Sequence, residues 1–361
     1  MILNVSTPKE IRKFVRFTKD LYKHEKNYVF TFFNKQIKEL KKLILEDQTY
    51  YGLLSMRNNV IMGRLLYTFL EEEGKTICYF SFFDFYNDYS VSSELFDALK
   101  VAAQEKGAES IVGPYFPNNA DFGKGVLTNC YDKVPALFMP YNPKYYVFMY
   151  KKLGLIKKTD LFSINVNINE IITNKIDRLK KIDHLDNIVI SEITAETYEN
   201  DILDITKIIN EYEGKEITPE SVKEVIKKKK MFIKNEYTVI AREKDSNKAV
   251  AFVMVSKDFS QIFIKMKGRF NIFKYLINKN KITKARGLVQ YILPDFESSL
   301  IIIELYIKAF ENLFKDNIVE FESATMSEDN VKAYRIFGHF GGEVDKVYRL
   351  YCYDNKQEEG I

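Results

Sequence analysis

The chain has no tryptophan, and only three cysteines and three histidines among 361 residues. Cys78, Cys130 and Cys352 are odd in number and unrelated in spacing, which excludes a disulfide framework and a zinc pattern. His24, His184 and His339 are too few and too scattered to supply a metal site in their place. The missing tryptophan, in a lysine- and asparagine-rich chain, reads as AT-biased coding and excludes no chemistry. No apolar run approaches a membrane span; Leu300–Ile303, for example, is four residues. The first residues lead into Ser6–Glu10, a helix start, without the basic and apolar regions of a signal peptide. The expectation is a cytoplasmic protein with no membrane partner. Nor does one sign of charge dominate: 54 basic against 50 acidic residues leave +4, which argues against a dedicated nucleic-acid binder. There is no Walker loop, dinucleotide fingerprint or Ser-His-Asp spacing.

What is present is a chain that is 46% hydrophobic and 14% aromatic, enough to bury two cores and to exclude wholesale disorder. A pattern also repeats. In the second half a strand-like run, Ile318–Ser323, leads to Asn330, a helical segment closing at Gly341–Gly342, and a second strand-like run, Lys346–Tyr353. In the first half Ser110–Phe116 precedes Asn142, a helical segment Pro143–Leu153, Gly154, and alternation over Lys158–Asn165. Two copies of one strand–Asn–helix–Gly–strand unit predict a duplicated α/β module. The boundaries expected are 1–168 for the first domain, 169–187 for a linker and 188–361 for the second.

Upstream of each repeat the periodicity is also similar. Pro8–Tyr22 and Asn34–Glu46 are helical, with Ser6 or Thr7 capping the former. Tyr50–Met56 and Val60–Thr68 form a hairpin about Arg57–Asn59, Thr76–Phe85 is a third strand, and Ser92–Lys106 is a helix capped by Ser92 or Ser93. In the second half a strand at Ile188–Ile193 precedes helices over Glu199–Tyr212 and from Thr218 to Lys230. Strands Tyr237–Glu243, Ala249–Ser256 and Gly287–Leu293 follow, then a helix over Ser298–Lys315. This alternation predicts an α/β (α+β) class: mixed, mostly antiparallel twisted sheets flanked by helices.

That element order, with an asparagine opening the helix before the last strands and a glycine closing it, resembles the GNAT (Gcn5-related N-acetyltransferase) fold in both halves. The strings Gly113-Pro114, Asn118-Asn119, Met139–Tyr146, Glu328–Asn330 and Lys346–Tyr351 are similar to those of bacterial tandem GNAT-like proteins of unsettled function. The resemblance implies an acyl-CoA-dependent N-acyltransferase, an acetyltransferase, acting on a small amine or amino-acid-like acceptor. It also leaves open a catalytically degenerate ligand-binding or interaction protein. Tandem modules of this kind occur in Fem-type aminoacyl-tRNA-dependent transferases as well, which keeps tRNA open as a partner.

Acetyl transfer requires a diphosphate cradle, a donor to the thioester carbonyl, a base and an acid. By the resemblance, acetyl-CoA or another acyl-CoA sits where the strand ending at Ile292 and Leu293 meets the helix beginning at Ser298, Ser299 and Leu300, with Asn330 opening the neighbouring helix. The turn there is free of glycine and basic residues, as is the corresponding turn Tyr86–Ser93, which carries Asp88. The family's tyrosine acid, seven residues past the helix-opening asparagine, falls on Phe337 and Met149; Tyr334, Tyr145 and Tyr146 are the neighbouring phenols. Glu320 and Glu322 share one strand face and are candidate bases. Glu322 and Tyr334 are the catalytic pair to test. A second constellation joins Asn118, Asn119 and Asp121, in a long loop, to Tyr141, Asn142, Tyr145 and Tyr146, a polar, aromatic-walled pocket for a small-molecule ligand. Finally, Ile262–Arg286 carries eight basic and no acidic residues, interleaved with Phe270, Phe273 and Tyr275, a composition suited to phosphates of CoA or RNA.

Overall fold

The computed structural model describes residues 1–117, 123–175, 185, 187–214, 216–296 and 299–354. In chain order its strands are β1 (Ile2–Val5), β2 (Tyr50–Arg57), β3 (Val60–Glu72), β4 (Lys75–Phe85), β5 (Ser110–Gly113), β6 (Val126–Leu127) and β7 (Ile156–Asn167). They continue as β8 (Ile188–Glu192), β9 (Thr238–Glu243), β10 (Ala249–Lys257), β11 (Lys284–Ile292), β12 (Glu320–Glu322), β13 (Met326–Ser327) and β14 (Glu343–Asp354). The α-helices are α1 (Pro8–Leu21), α2 (Phe33–Lys41), α3 (Tyr89–Glu105), α4 (Tyr145–Lys152), α5 (Ile168–Glu170) and α6 (Tyr198–Glu213). Those that follow are α7 (Pro219–Lys228), α8 (Ser260–Phe263), α9 (Ile272–Asn278), α10 (Ser299–Lys315) and α11 (Val331–His339). Among the described residues no helix is long and apolar enough to cross a membrane.

Contacts divide the chain into two compact units. The first holds residues 1–161, 260–277 and 346–361, the second 162–259 and 278–345. This division is not the linear one expected from the repeat. The last strand of the chain, from Lys346 onward, belongs to the first unit, and the end of β7, from Phe162, belongs to the second.

In the first unit the strand order is β1-β2-β3-β4-β5-β14. Neighbours are antiparallel except β4 and β5. Period-two alternation sends successive leucines to opposite faces. Leu54 and Leu66 pack with Ile11, Phe14 and Val15 of α1 and with α2, whereas Leu53 and Leu65 pack with Leu95, Phe96 and Leu99 of α3. Helix α1 starts on a capping box: Thr7 accepts from the Glu10 N–H, and the Glu10 carboxylate accepts from the Thr7 N–H. Helix α3 begins earlier than Ser92 or Ser93 would place it, because the Asp88 carboxylate accepts from the Ser90 N–H and starts the helix at Tyr89.

The second unit repeats the plan as β8-β9-β10-β11-β12-β7, with β11 and β12 the parallel pair. Helices α6 and α7 bury Ile202, Ile205 and Val222 against Ile240 and Phe252. Helices α10 and α11 carry an aromatic core in which Phe321 of β12 packs with Tyr306, Phe310 and Phe337.

Candidate functional site

Each unit has one place where a parallel strand pair comes apart. In the first, β4 and β5 pair over Ile77–Tyr79 and Ser110–Val112. Gly113 then passes so close to β4 that a Cβ there would lie 2.4 Å from the Phe80 carbonyl oxygen. Beyond it β4 bulges at Phe82, which has φ 46°. The strand edge past this bulge is occupied by the chain itself. The Phe85 N–H donates to the Tyr146 hydroxyl (3.0 Å), and the Tyr145 hydroxyl donates to the Phe85 carbonyl (2.5 Å). Behind them the buried Arg64 guanidinium donates to Asp84 (2.8 Å) and to the Phe14 carbonyl (2.9 Å), and the Tyr22 hydroxyl donates to the other Asp84 oxygen (2.6 Å). Burial, with the Asp84 charge adding to it, pushes the Tyr22 and Tyr146 phenols well above their ordinary range, so both stay protonated. At the head of α3 the carboxylate of Asp88 already holds the first-turn donors, and hydrogen bonds from Ser90 keep it ionised. Lys152 closes the rim, its ammonium 4.0 Å from the centre of the Tyr89 ring.

In the second unit β11 and β12 pair over only three residues, ending at Arg286 and Glu322. The register with β10 then slips between Met254–Val289 and Val255–Gly287, leaving Leu288 as a bulge without a partner on that strand. Here the edge past the bulge faces outward: Val289 is 37% exposed and Gln290 is exposed, whereas Phe83 and Phe85 of the first unit are buried. Ile292 and Leu293 are themselves buried at the strand's end. A 3-10 turn, Pro294–Phe296, then leads toward α10; it carries Asp295 and no basic residue. Leu300 is half-buried in the first turn of that helix.

The catalytic pair expected from the sequence falls on opposite faces of this sheet. Phe321 points toward α10 and α11, so Glu322 points the other way, where its carboxylate accepts from the Ser163 hydroxyl (2.8 Å). Tyr334 lies on the α11 side, its ring stacked on Phe162 at 4.0 Å and its side chain part-exposed. Burial, then the charge of Glu328, raises its phenol, which keeps the proton in place. Asn330 acts as a cap, its side-chain oxygen accepting from the Ala333 N–H (3.0 Å).

The first-unit constellation is partly assembled. Tyr146 meets Tyr22, which stacks on Tyr28 at 3.8 Å, and Tyr28 meets Tyr141 edge-on. The Tyr141 hydroxyl is placed to donate to Glu25 (3.0 Å) or to the Tyr131 carbonyl (3.1 Å). Asn142 turns to β6 instead, accepting from the Leu127 N–H (2.7 Å) and donating to the Leu127 carbonyl (3.1 Å). Asn118, Asn119, Asp121 and Ser298 lie outside the described residues.

Sequence reasoning passed over Tyr150. It is fully buried among Phe80, Phe83, Tyr146 and Tyr351, and its hydroxyl has no hydrogen-bond partner among the described residues. Counting seven residues from Asn142 stops one short of it; the i, i+4 spacing from Tyr146 would have found it. Among the described residues no group of three or more His, Cys, Asp and Glu side chains could hold a metal ion.

No family model matches the chain. Protein YghO of Escherichia coli K12 is 25% identical over 160 residues, which cover 43% of this chain and 41% of YghO. Solved structures agree over nearly the whole length. A tandem GNAT protein from the clavulanic acid biosynthesis pathway superposes with a TM-score of 0.58 at 8% identity, covering 98% of both chains. A GCN5-related N-acetyltransferase from Sphaerobacter thermophilus reaches 0.55 at 10% identity, over 98% of this chain and 96% of that one. A GCN5-related glucosamine N-acetyltransferase region of a fungal multi-domain β-N-acetylglucosaminidase reaches 0.60 at 12% identity, over 98% of this chain. The chain spans 38% of that fungal protein and less than half of YghO. At these identities the likeness is one of architecture, and it agrees with the duplicated topology: the chain carries two GNAT folds in tandem.

Proposed function

We propose that the second unit is an acyl-CoA-dependent N-acyltransferase site for a small amine or amino-acid-like acceptor. The observation that carries this reading is the parting of β11 from β12 beside the Leu288 bulge, with the strand edge beyond it exposed. An acyl arm laid along that edge finds the β11 backbone groups that β12 no longer pairs past Arg286, suited to an acyl carbonyl on which negative charge develops. The fit is with the uncharged arm. For the diphosphate, the described residues of the preceding turn offer Asp295 and no cation, so that part of the donor gains nothing from this turn's side chains.

The two faces divide the work. Glu322 waits on the face opposite α11 and takes the proton of an attacking amine; Tyr334, kept protonated, gives one to the departing sulfur from the other face. The amine nitrogen forms its bond to the acyl carbon as the carbon–sulfur bond breaks, giving an amide and a thiol. Donor and acceptor then approach from opposite faces and meet only in the gap between β11 and β12.

Titration calorimetry with acetyl-CoA and longer acyl-CoAs, paired with thiol release in the presence of amino acids and small amines, tests this. Glu322→Gln is expected to lower turnover about 10²–10⁴-fold with binding retained. No heat at millimolar acyl-CoA sinks the reading. A second reading, a non-catalytic ligand-binding module, draws on the plugged gap of the first unit and the acidic turn of the second. It predicts acyl-CoA binding, or capture of another small molecule, without thiol release.

A further inference from the structure

We propose that the first unit docks on an anionic lipid surface through the segment Lys265–Ile277, with a neighbouring basic cavity receiving a phosphate headgroup. The proposal uses the first unit alone and is independent of any chemistry in the second.

Two observations meet here. Helix α9 buries no residue. Phe270, Ile272, Phe273, Leu276 and Ile277 are 44%, 49%, 73%, 50% and 66% exposed, five large apolar side chains within eight positions. A water-facing surface rarely carries such a cluster without something to cover it. Beside it a cavity of about 620 Å³ is lined by Arg16 and Lys19 of α1, Lys35 of α2, and Lys267 and Arg269, with Phe32, Phe33 and Phe270 as walls and no carboxylate. Ser260–Ile277 holds four basic residues and no acidic one.

The segment is anchored, so its exposure is not that of a frayed end. Lys267 and Gly268 turn in the left-handed region (φ 49° and 78°), and the Gly268 carbonyl accepts from the Phe33 N–H at 3.1 Å. A Cβ at Gly268 would lie 2.5 Å from the Phe33 ring, which only glycine avoids. The Phe32 ring is edge-on to both Phe263 and Phe270, holding the segment to the start of α2. At seven residues α9 is only about 10 Å long and cannot span a bilayer. Lying flat, it would sink its apolar side chains to the headgroup boundary while the cations meet lipid phosphates. Aliphatic Ile272, Leu276 and Ile277 favour lipid over single-stranded RNA, whose bases call for aromatic platforms.

Sedimentation of the full chain with vesicles tests the proposal, using phosphatidylcholine with and without phosphatidylglycerol. The expected result is salt-sensitive pelleting with phosphatidylglycerol vesicles only. It should weaken about tenfold or more in Phe273→Ser with Ile277→Ser, and also in Lys267→Glu with Arg269→Glu. These side chains are exposed, and circular dichroism should show both variants folded. Four outcomes overturn it: no pelleting at low salt; pelleting that neither variant alters; glycerol 3-phosphate or poly(U) bound at the cavity while vesicles are ignored; or a concentration-dependent dimer lost in the serine variant, which would make a second copy the occupant.

Discussion

Arg64 shows how much of the first unit depends on one side chain. The residue is 2% exposed, its guanidinium bonded to Asp84 and the Phe14 carbonyl and near the Phe14 and Phe82 rings at 5.0 and 5.1 Å. Removing it strands a part-buried carboxylate, so Arg64→Ala is expected to cost about 3–5 kcal/mol. A lowered urea midpoint would show this; a variant as stable as the parent would mean that Asp84 is already satisfied by Tyr22. From the sequence Arg64 is an ordinary strand residue between Gly63 and Leu65. Its partner lies twenty positions on, on the next strand, and only β3–β4 register joins them. Tyr150 was hidden for a similar reason, since an unpartnered hydroxyl is a property of its surroundings and not of its neighbours in sequence.

At the scale of elements, signals are legible in the sequence wherever they are satisfied locally. The hairpin at Asn58-Asn59 has both residues at positive φ, and the Thr7–Glu10 capping box lies where the helix start was expected. Competition between nearby caps was not legible: Asp88 outcompetes Ser92 and Ser93 because it stands before the first turn. Their aromatic, polar side chains make the tyrosines of α4 candidate ligand walls, whereas the structure places two of their hydroxyls on the backbone of β4. Tyr146→Phe would leave the buried Phe85 N–H without its acceptor, at about 1–3 kcal/mol. It is expected to leave acyl-CoA affinity unchanged in calorimetry if the second unit is the binding one. A large loss of affinity in a folded Tyr146→Phe protein would move the site to the first unit.

For the whole molecule, the division of the chain decides what can fold alone. Residues 1–168 look complete by periodicity, yet the first unit also contains Ser260–Ile277 and the strand from Lys346, whose Tyr351–Asp354 stretch pairs with Ser110–Gly113. Expressed alone, 1–168 would expose the edge of β5 and lose Tyr351, which packs on Tyr150 at 5.0 Å. The expected outcome is aggregation or rapid proteolysis, read by size exclusion and trypsin digestion. A monodisperse, protease-resistant fragment would show that the first unit does not need its distant strand.

The sequence by itself determined the class, the duplication and the longer helices and strands, because apolar periodicity, caps and turn residues act over a few positions; the short elements β1, β6, β13, α8 and α9 went unpredicted. Tertiary structure alone decided which strands complete each unit, which strand edge stays open, and that Glu322 and Tyr334 lie on opposite faces. Those outcomes depend on pairings between residues up to hundreds of positions apart, and one residue of register is enough to move a side chain to the other face of a sheet.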